Sequence, residues 1–165
     1  MIMASALVIS SRAADVSVKI SDMHICCGSC VKSIEKTVAA VPGVTAAVDQ
    51  DAETVTLTAA DTATAQKAAD ALVAAGFYGT SSDPAVKINA DTGAKNEKMQ
   101  SVKIKGVHLC CGQCVKSLNT ALSSVPGVTG NTAAKGVESF EVTGDFNDKD
   151  VFDALQKAGF TGKEE

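Results

Sequence analysis

From Val16 the chain alternates, with Val16, Val18 and Ile20 apolar and Ser17 and Lys19 polar. That is the period of a half-buried strand. After a short cysteine-bearing segment the period changes. Val31, Ile34, Val38 and Val41 are spaced three, four and three apart, which predicts a helix with one core-facing stripe. Pro42-Gly43 stops it. Apolar residues near Val44 to Val48 and Glu53 to Leu57 predict two strands, with Asp49-Gln50-Asp51-Ala52 as the turn between them. Ala65, Ala68, Ala69, Leu72 and Val73 predict a second helix, closed by Gly76. A short last strand is expected after Phe77.

The pattern then recurs. Val102 and Ile104 flank Lys103, and Val115, Leu118, Leu122 and Val125 repeat the helical spacing up to Pro126-Gly127. Strands follow, weakly near Gly130-Asn131 and clearly from Glu138 to Val142. A helix containing Val151, Phe152, Leu155 and Ala158 comes next, then Gly159-Phe160. Val18 to Val102, Cys27 to Cys111 and Pro42 to Pro126 are each 84 positions apart, and Gly76 to Gly159 is 83. A repeat of this kind overrides the single domain that 165 residues would otherwise suggest.

The order β-α-β-β-α-β, met twice, predicts an α+β protein of two ferredoxin-like domains in tandem. The expected division is 15–80 for the first domain and 101–165 for the second. Residues 81–100, rich in Ser, Asp, Pro, Gly, Asn and Lys, read as a mostly flexible linker in which Ala85 to Ile88 could extend a strand. A coil of that length spans roughly 25 Å, so the two units are able to face one another.

Residues 1–14 stand apart, as a signal peptide or a disordered N-terminus. Met1 to Ser10 is a short apolar run, and Ser11 and Ala13 follow in a small-x-small pattern. This resembles the core and cleavage site of a secretory signal, although the basic n-region is missing. The expected location is therefore periplasmic or secreted, with the cytoplasm as the alternative. Nothing approaches the ~20 apolar residues of a membrane span. A net charge of −4 without a basic patch argues against nucleic acid. So does an aromatic content of 4% with no Trp.

All six cysteines lie in two matching stretches, His24-Ile25-Cys26-Cys27-Gly28-Ser29-Cys30 and His108-Leu109-Cys110-Cys111-Gly112-Gln113-Cys114. Cys27 and Cys30 are three apart at a predicted helix start, as are Cys111 and Cys114. Both thiols of a pair can then point to one side of the turn. The helix N-terminus favours the thiolate, the form that binds metal. Cys26 and Cys110 would point away from their neighbours in a regular strand, so they join only if the loop bends. His24 shares a face with Cys26, and His108 with Cys110. Each unit can thus offer three thiolates, with or without an imidazole. Such a set suits Cu(I) or Zn(II), one ion per domain, with Cd(II) or Hg(II) as heavier candidates. The rival is a Cys-x-x-Cys disulfide, which would leave Cys26 and Cys110 unpaired. Asp22 has Gly106 as its counterpart and reads as a surface charge. Lys32 and Lys116 read as solvated lysines able to favour nearby thiolates.

These residues resemble the heavy-metal-associated domain, the fold of copper chaperones, of the N-terminal modules of metal-transporting P-type ATPases, and of the periplasmic mercury-binding protein. The family motif is Gly-Met-x-Cys-x-x-Cys. Cys27–Cys30 and Cys111–Cys114 match its cysteines, Gly43-Val44 and Gly127-Val128 its Gly-Val, and Gly76-Phe77 and Gly159-Phe160 its Gly-aromatic pair. Ile25 and Leu109 replace the Met, His24 and His108 the Gly before it, and Cys26 and Cys110 fill the variable position. The vicinal cysteines resemble the Cys-Cys-x-x-Glu motif of plant zinc-transporting ATPase domains, which shifts the expected ion from copper towards zinc or cadmium.

The resemblance implies a non-enzymatic heavy-metal-binding protein that sequesters or transfers its ion through Cys26, Cys27, Cys30, Cys110, Cys111 and Cys114, with His24 and His108 as candidate fourth ligands. The alternative is a thiol–disulfide redox protein. Expected partners are metal ions and a metal-transporting ATPase or another metal carrier, with the chain a monomer or a metal-bridged dimer. Tethering raises the effective concentration of one site near the other to roughly mM, so an ion could pass between them.

Overall fold

The computed structural model describes residues 15–165. The signal-like stretch 1–14 lies outside the described residues. The first unit runs β1 (Val16–Ser21), α1 (Gly28–Ala39), β2 (Val44–Asp49), β3 (Thr54–Ala59), α2 (Thr62–Ala74) and β4 (Thr80–Ser81). The second runs β5 (Lys98–Lys105), α3 (Gly112–Ser123), β6 (Val128–Asn131), β7 (Ser139–Asn147), α4 (Asp148–Lys157) and β8 (Lys163–Glu164). The two sheets have matching strand orders, β2-β3-β1-β4 and β6-β7-β5-β8, with antiparallel neighbours throughout. This is an α+β fold of two sheets and four helices, consistent with the ferredoxin-like arrangement.

The alternation seen in the sequence becomes the core. Val18 and Ile20 are buried and Lys19 is exposed; Val102, Ile104 and Lys103 do the same. In the helices the buried stripe is Cys30, Ile34 and Val38 in α1, and Cys114, Leu118 and Leu122 in α3. Ile34, Val38, Leu118 and Leu122 are buried as predicted, while the first core position falls on Cys30 and Cys114, one residue before the half-buried Val31 and Val115. A cysteine, itself an apolar side chain when protonated, occupies the first core position of each helix.

Ile25 and Leu109, which stand where the family motif has Met, are buried in the core beneath the cysteine loops. Their removal from water fixes the strand-to-helix connection from below. Asp22 and Gly106 share a feature that charge alone hides. Both have positive φ, +61° and +77°, so the turn after the first strand of each unit needs a left-handed residue. Aspartate tolerates that conformation better than most side chains.

The segment between the units is tied down at several points, where a flexible coil was expected. The amide of Lys87 donates to Gln66 Oε1 at 2.7 Å, and Gln66 Nε2 donates to the Lys87 carbonyl at 2.8 Å. Val86 is buried, and residues 84–86 form a turn in place of the strand extension. Further on, the amides of Lys95 and Glu97 donate to the Asp148 carboxylate at 2.7 and 2.8 Å. Side chains of α2 and α4 satisfy the linker's backbone donors, which a composition-based reading could not anticipate. Among the described residues no helix is long and apolar enough to cross a membrane.

Candidate metal centre

Each cysteine segment is the bend between a first strand and a helix. Cys27 and Cys111 sit at the N-cap positions with extended backbone. The Cys30 amide donates to the Cys27 carbonyl at 2.9 Å, so the Cys-x-x-Cys spacing closes one helical turn. Cys27 Sγ and Cys30 Sγ are then 3.9 Å apart, and Cys111 Sγ and Cys114 Sγ 3.6 Å. Cys30 and Cys114 are fully buried, whereas the other four cysteines are partly exposed.

The two segments meet. Gly76 and Gly159, at the ends of α2 and α4, lie against the opposite unit's cysteine loop. The Gly159 carbonyl accepts from the amides of Tyr78 (3.1 Å) and His24 (3.5 Å), and the Gly76 carbonyl accepts from Thr161 (3.1 Å). Phe77 and Phe160 pair as an antiparallel bridge. Both glycines have positive φ, and a Cβ on Gly159 would stand 2.3 Å from the His24 nitrogen. Only hydrogen fits there. His24 stacks on Phe160 with centroids 4.3 Å apart, and His108 on Phe77 at 4.5 Å.

This docking brings all six thiols into one cluster. Cys26 Sγ lies 3.4 Å from Cys111 Sγ and 3.5 Å from Cys114 Sγ. Cys110 Sγ lies 3.5 Å from Cys30 Sγ and 3.9 Å from Cys27 Sγ. Links within each unit complete the set, Cys26 to Cys30 at 3.8 Å and Cys110 to Cys114 at 3.7 Å. A nitrogen of His24 falls within 4.8 Å of the sulfurs of Cys26 and Cys114. His108 faces Cys30. The Nε2 atoms of both histidines are buried without a hydrogen-bond partner. Lys32 and Lys116 are exposed on the helices.

The electrostatics follow from crowding. The neighbouring Cys114, and then His108 and Cys110, hold Cys30 far below the usual thiol range despite its burial. Cys114 is pushed up chiefly by the neighbouring Cys30, with burial acting in the same sense. Burial, then the contact with Cys111, pushes Cys26 up. Cys110 is raised to about 12 by burial and by its contact with Cys30. Cys111 is lowered to about 6, mainly by the backbone amide of Cys114. Neighbouring sulfurs cannot all carry charge unless a cation sits among them. Burial pushes His24 down, against the opposing pull of Cys30 and Glu53.

The donor set fits a thiophilic ion. With a metal–sulfur bond of about 2.3 Å, two thiolates on one ion are about 3.8 Å apart in a tetrahedral site and about 4.0 Å in a trigonal one. The sulfur separations here, 3.4 to 3.9 Å, need only a few tenths of an ångström of relaxation. Soft sulfur donors select Cu(I), Zn(II) and heavier ions over Mg(II) or Ca(II).

Residues 17–77 match the heavy-metal-associated domain. The matched span holds Cys26, Cys27, Cys30 and His24 and ends on Phe77. Over 93% of its length the chain is similar to the solution structure of the N-terminal soluble domains of Bacillus subtilis CopA, with 20% identity, 95% of that chain covered and a TM-score of 0.33. It is similar in the same way to the water-soluble region of the P-type ATPase CopA from Bacillus subtilis, at 22% identity, 93% of each chain and a TM-score of 0.33. The first two RRM domains of yeast poly(U) binding protein Pub1 align at 8% identity over 91% of this chain and 98% of that one, with a TM-score of 0.25. The heavy-metal-associated match supports metal binding by the first unit; likenesses as distant as the other three say nothing of ligand or activity.

Proposed function

We propose that this protein is a non-enzymatic carrier or scavenger of a thiophilic metal ion. On this reading it is built from two heavy-metal-associated domains, 15–80 and 101–165, joined by residues 81–100. The observation that carries the reading is the convergence of six free thiols at separations a bound ion would impose. Cys26, Cys27, Cys30, Cys110, Cys111 and Cys114 are the ligands, and His24 and His108 stand ready as further donors. Cu(I) or Zn(II) is the cargo, one ion per domain, and Cd(II) and Hg(II) are accepted by the same chemistry.

Transfer would proceed by ligand exchange. An incoming thiolate bonds the ion at the partly exposed side of the cluster, near Cys27 or Cys111, before a resident sulfur lets go. A metal-transporting ATPase or another carrier is the fitting partner. The signal-like residues 1–14 support a periplasmic or secreted setting.

Metal content after anaerobic purification tests the reading, together with thiol titration before and after chelation. Bound metal, with six thiols titrating only once a chelator has removed it, supports a carrier. Metal-free protein whose thiols appear only on reduction would overturn it in favour of the redox alternative.

A further inference from the structure

The geometry points to crossed ligation, in which the Cys-x-x-Cys pair of each unit is completed by the vicinal cysteine of the other. Resting on the metal-binding reading above, this assigns one ion to Cys27, Cys30 and Cys110. It assigns a second to Cys111, Cys114 and Cys26.

Three ligands of one ion must all be neighbours. Cys27, Cys30 and Cys110 satisfy this with sides of 3.9, 3.5 and 3.9 Å. Cys26, Cys111 and Cys114 satisfy it with sides of 3.4, 3.5 and 3.6 Å. The within-unit sets lack one side: Cys110 and Cys111 each contact Cys114, at 3.7 and 3.6 Å, but share no sulfur–sulfur hydrogen-bond contact, and Cys26 and Cys27 likewise meet only through Cys30. Cys26 touches both members of the opposite pair.

The cause lies in the backbone. Vicinal residues of an extended segment point to opposite sides. Cys27 is the N-cap of α1 and meets one sulfur of the other unit, Cys110; Cys26 reaches Cys30 of its own unit and adds both Cys111 and Cys114 of the other. The same holds for Cys111 and Cys110. The histidines cross as well: His24 rests on Phe160, and His108 on Phe77. The bonds Tyr78 to Gly159 and Thr161 to Gly76 hold the crossing in place. Cys26–Cys30 at 3.8 Å and Cys110–Cys114 at 3.7 Å then join the two triads edge to edge. Metal binding then reinforces the docking that these backbone contacts already set.

The test uses the full chain with Cd(II) as probe, because thiolate-to-cadmium charge transfer in the ultraviolet grows with each sulfur bound. In the Cys27→Ser/Cys30→Ser chain, crossed ligation leaves one intact triad. Adding Cys26→Ser removes a ligand from it. The absorbance per bound ion should fall by about one third, and affinity by at least about tenfold, since even outer-sphere losses cost 10–100-fold. Adding Cys110→Ser to the same chain should change neither. The mirror experiment starts from Cys111→Ser/Cys114→Ser, where Cys110→Ser should matter and Cys26→Ser should not. Far-ultraviolet circular dichroism monitors folding, and Cys26→Ala replaces Cys26→Ser if the serine disturbs it.

If Cys110→Ser weakens the first chain while Cys26→Ser spares it, each unit supplies its own third ligand and the proposal falls. It falls too if neither change matters, or if the Cys27→Ser/Cys30→Ser chain binds no Cd(II) while the unmodified chain does. In these cases the metal-binding reading survives. Failure of the unmodified chain to bind Cd(II) would sink both.

Discussion

The imidazole of His24 lies on the ring of Phe160, centroids 4.3 Å apart and planes inclined by 32°. The two residues belong to different units, so the stack reports docking. Phe160→Leu keeps an apolar side chain in the core, at the cost of a small cavity, but removes the aromatic face. The ring-proton resonances of His24 should lose their ring-current shift, while those of His108, which rests on Phe77, should stay. Unchanged His24 resonances would mean that the units are not docked this way in solution.

Gly159 permits that docking because it has no Cβ. Gly159→Ala suffers twice, from a φ of +81° and from a methyl group 2.3 Å from the His24 nitrogen. Gly136 has a φ of +76° and open space around it, so Gly136→Ala carries the backbone cost alone, about 1 kcal/mol. Urea unfolding should show Gly159→Ala to be the more destabilised of the two. X-ray scattering should show a larger radius of gyration for it and not for Gly136→Ala. Equal effects would argue that the Gly159 contact contributes nothing.

Asp148 fastens the linker to the start of α4. Burial pushes its carboxyl up, but the backbone amides of Lys95, Glu97 and Lys149 outweigh burial and hold it below the ordinary carboxylate value. A depressed folded-state pKa adds stability that is fully present above the unfolded-state value. That stability is lost as pH falls through the folded-state value. Unfolding free energy should therefore decline on acidification below the ordinary carboxylate range. Asp148→Asn should flatten that part of the profile and cost about 2 kcal/mol at neutral pH, in line with hydrogen bonds to a charged group. Parallel pH profiles for the two proteins would show that Asp148 is not the group responsible.

Metal removal gives a further check. An ion that binds only the folded chain stabilises it by about 4 kcal/mol at a free concentration a thousand times Kd. For a chain of this length that raises Tm by about 10 °C. Calorimetry should show the rise on loading with Cu(I) or Zn(II) and its reversal by a chelator. The chain should still unfold cooperatively without metal, because Ile34, Leu57, Leu118 and Val142 already form an apolar core.

Much of this was legible in the sequence because periodicity encodes burial locally. Val18 and Ile20 alternate with lysine and serine, and Ile34 and Val38 recur at helical spacing; each pattern specifies its own element and its inward face. Only the first core position of each helix departs from the apolar spacing, falling on Cys30 and Cys114 because a protonated thiol packs as an apolar side chain. The tied linker was missed because its partners, Gln66 and Asp148, lie 21 and about 50 residues away.

By itself the sequence determined the repeated β-α-β-β-α-β order, the buried stripes and the identity of the candidate ligands. These depend on residue type and spacing over a few turns of chain. Which cysteine stands beside which was decided only in the tertiary structure. Cys26 and Cys111 are separated by 85 positions, and their sulfurs meet at 3.4 Å because Gly76 and Gly159 let two loops approach within hydrogen-bonding distance. A sequence repeat predicts two equal sites. Whether they remain two or share their ligands depends on how the units dock, and that contact leaves no periodic trace along the chain.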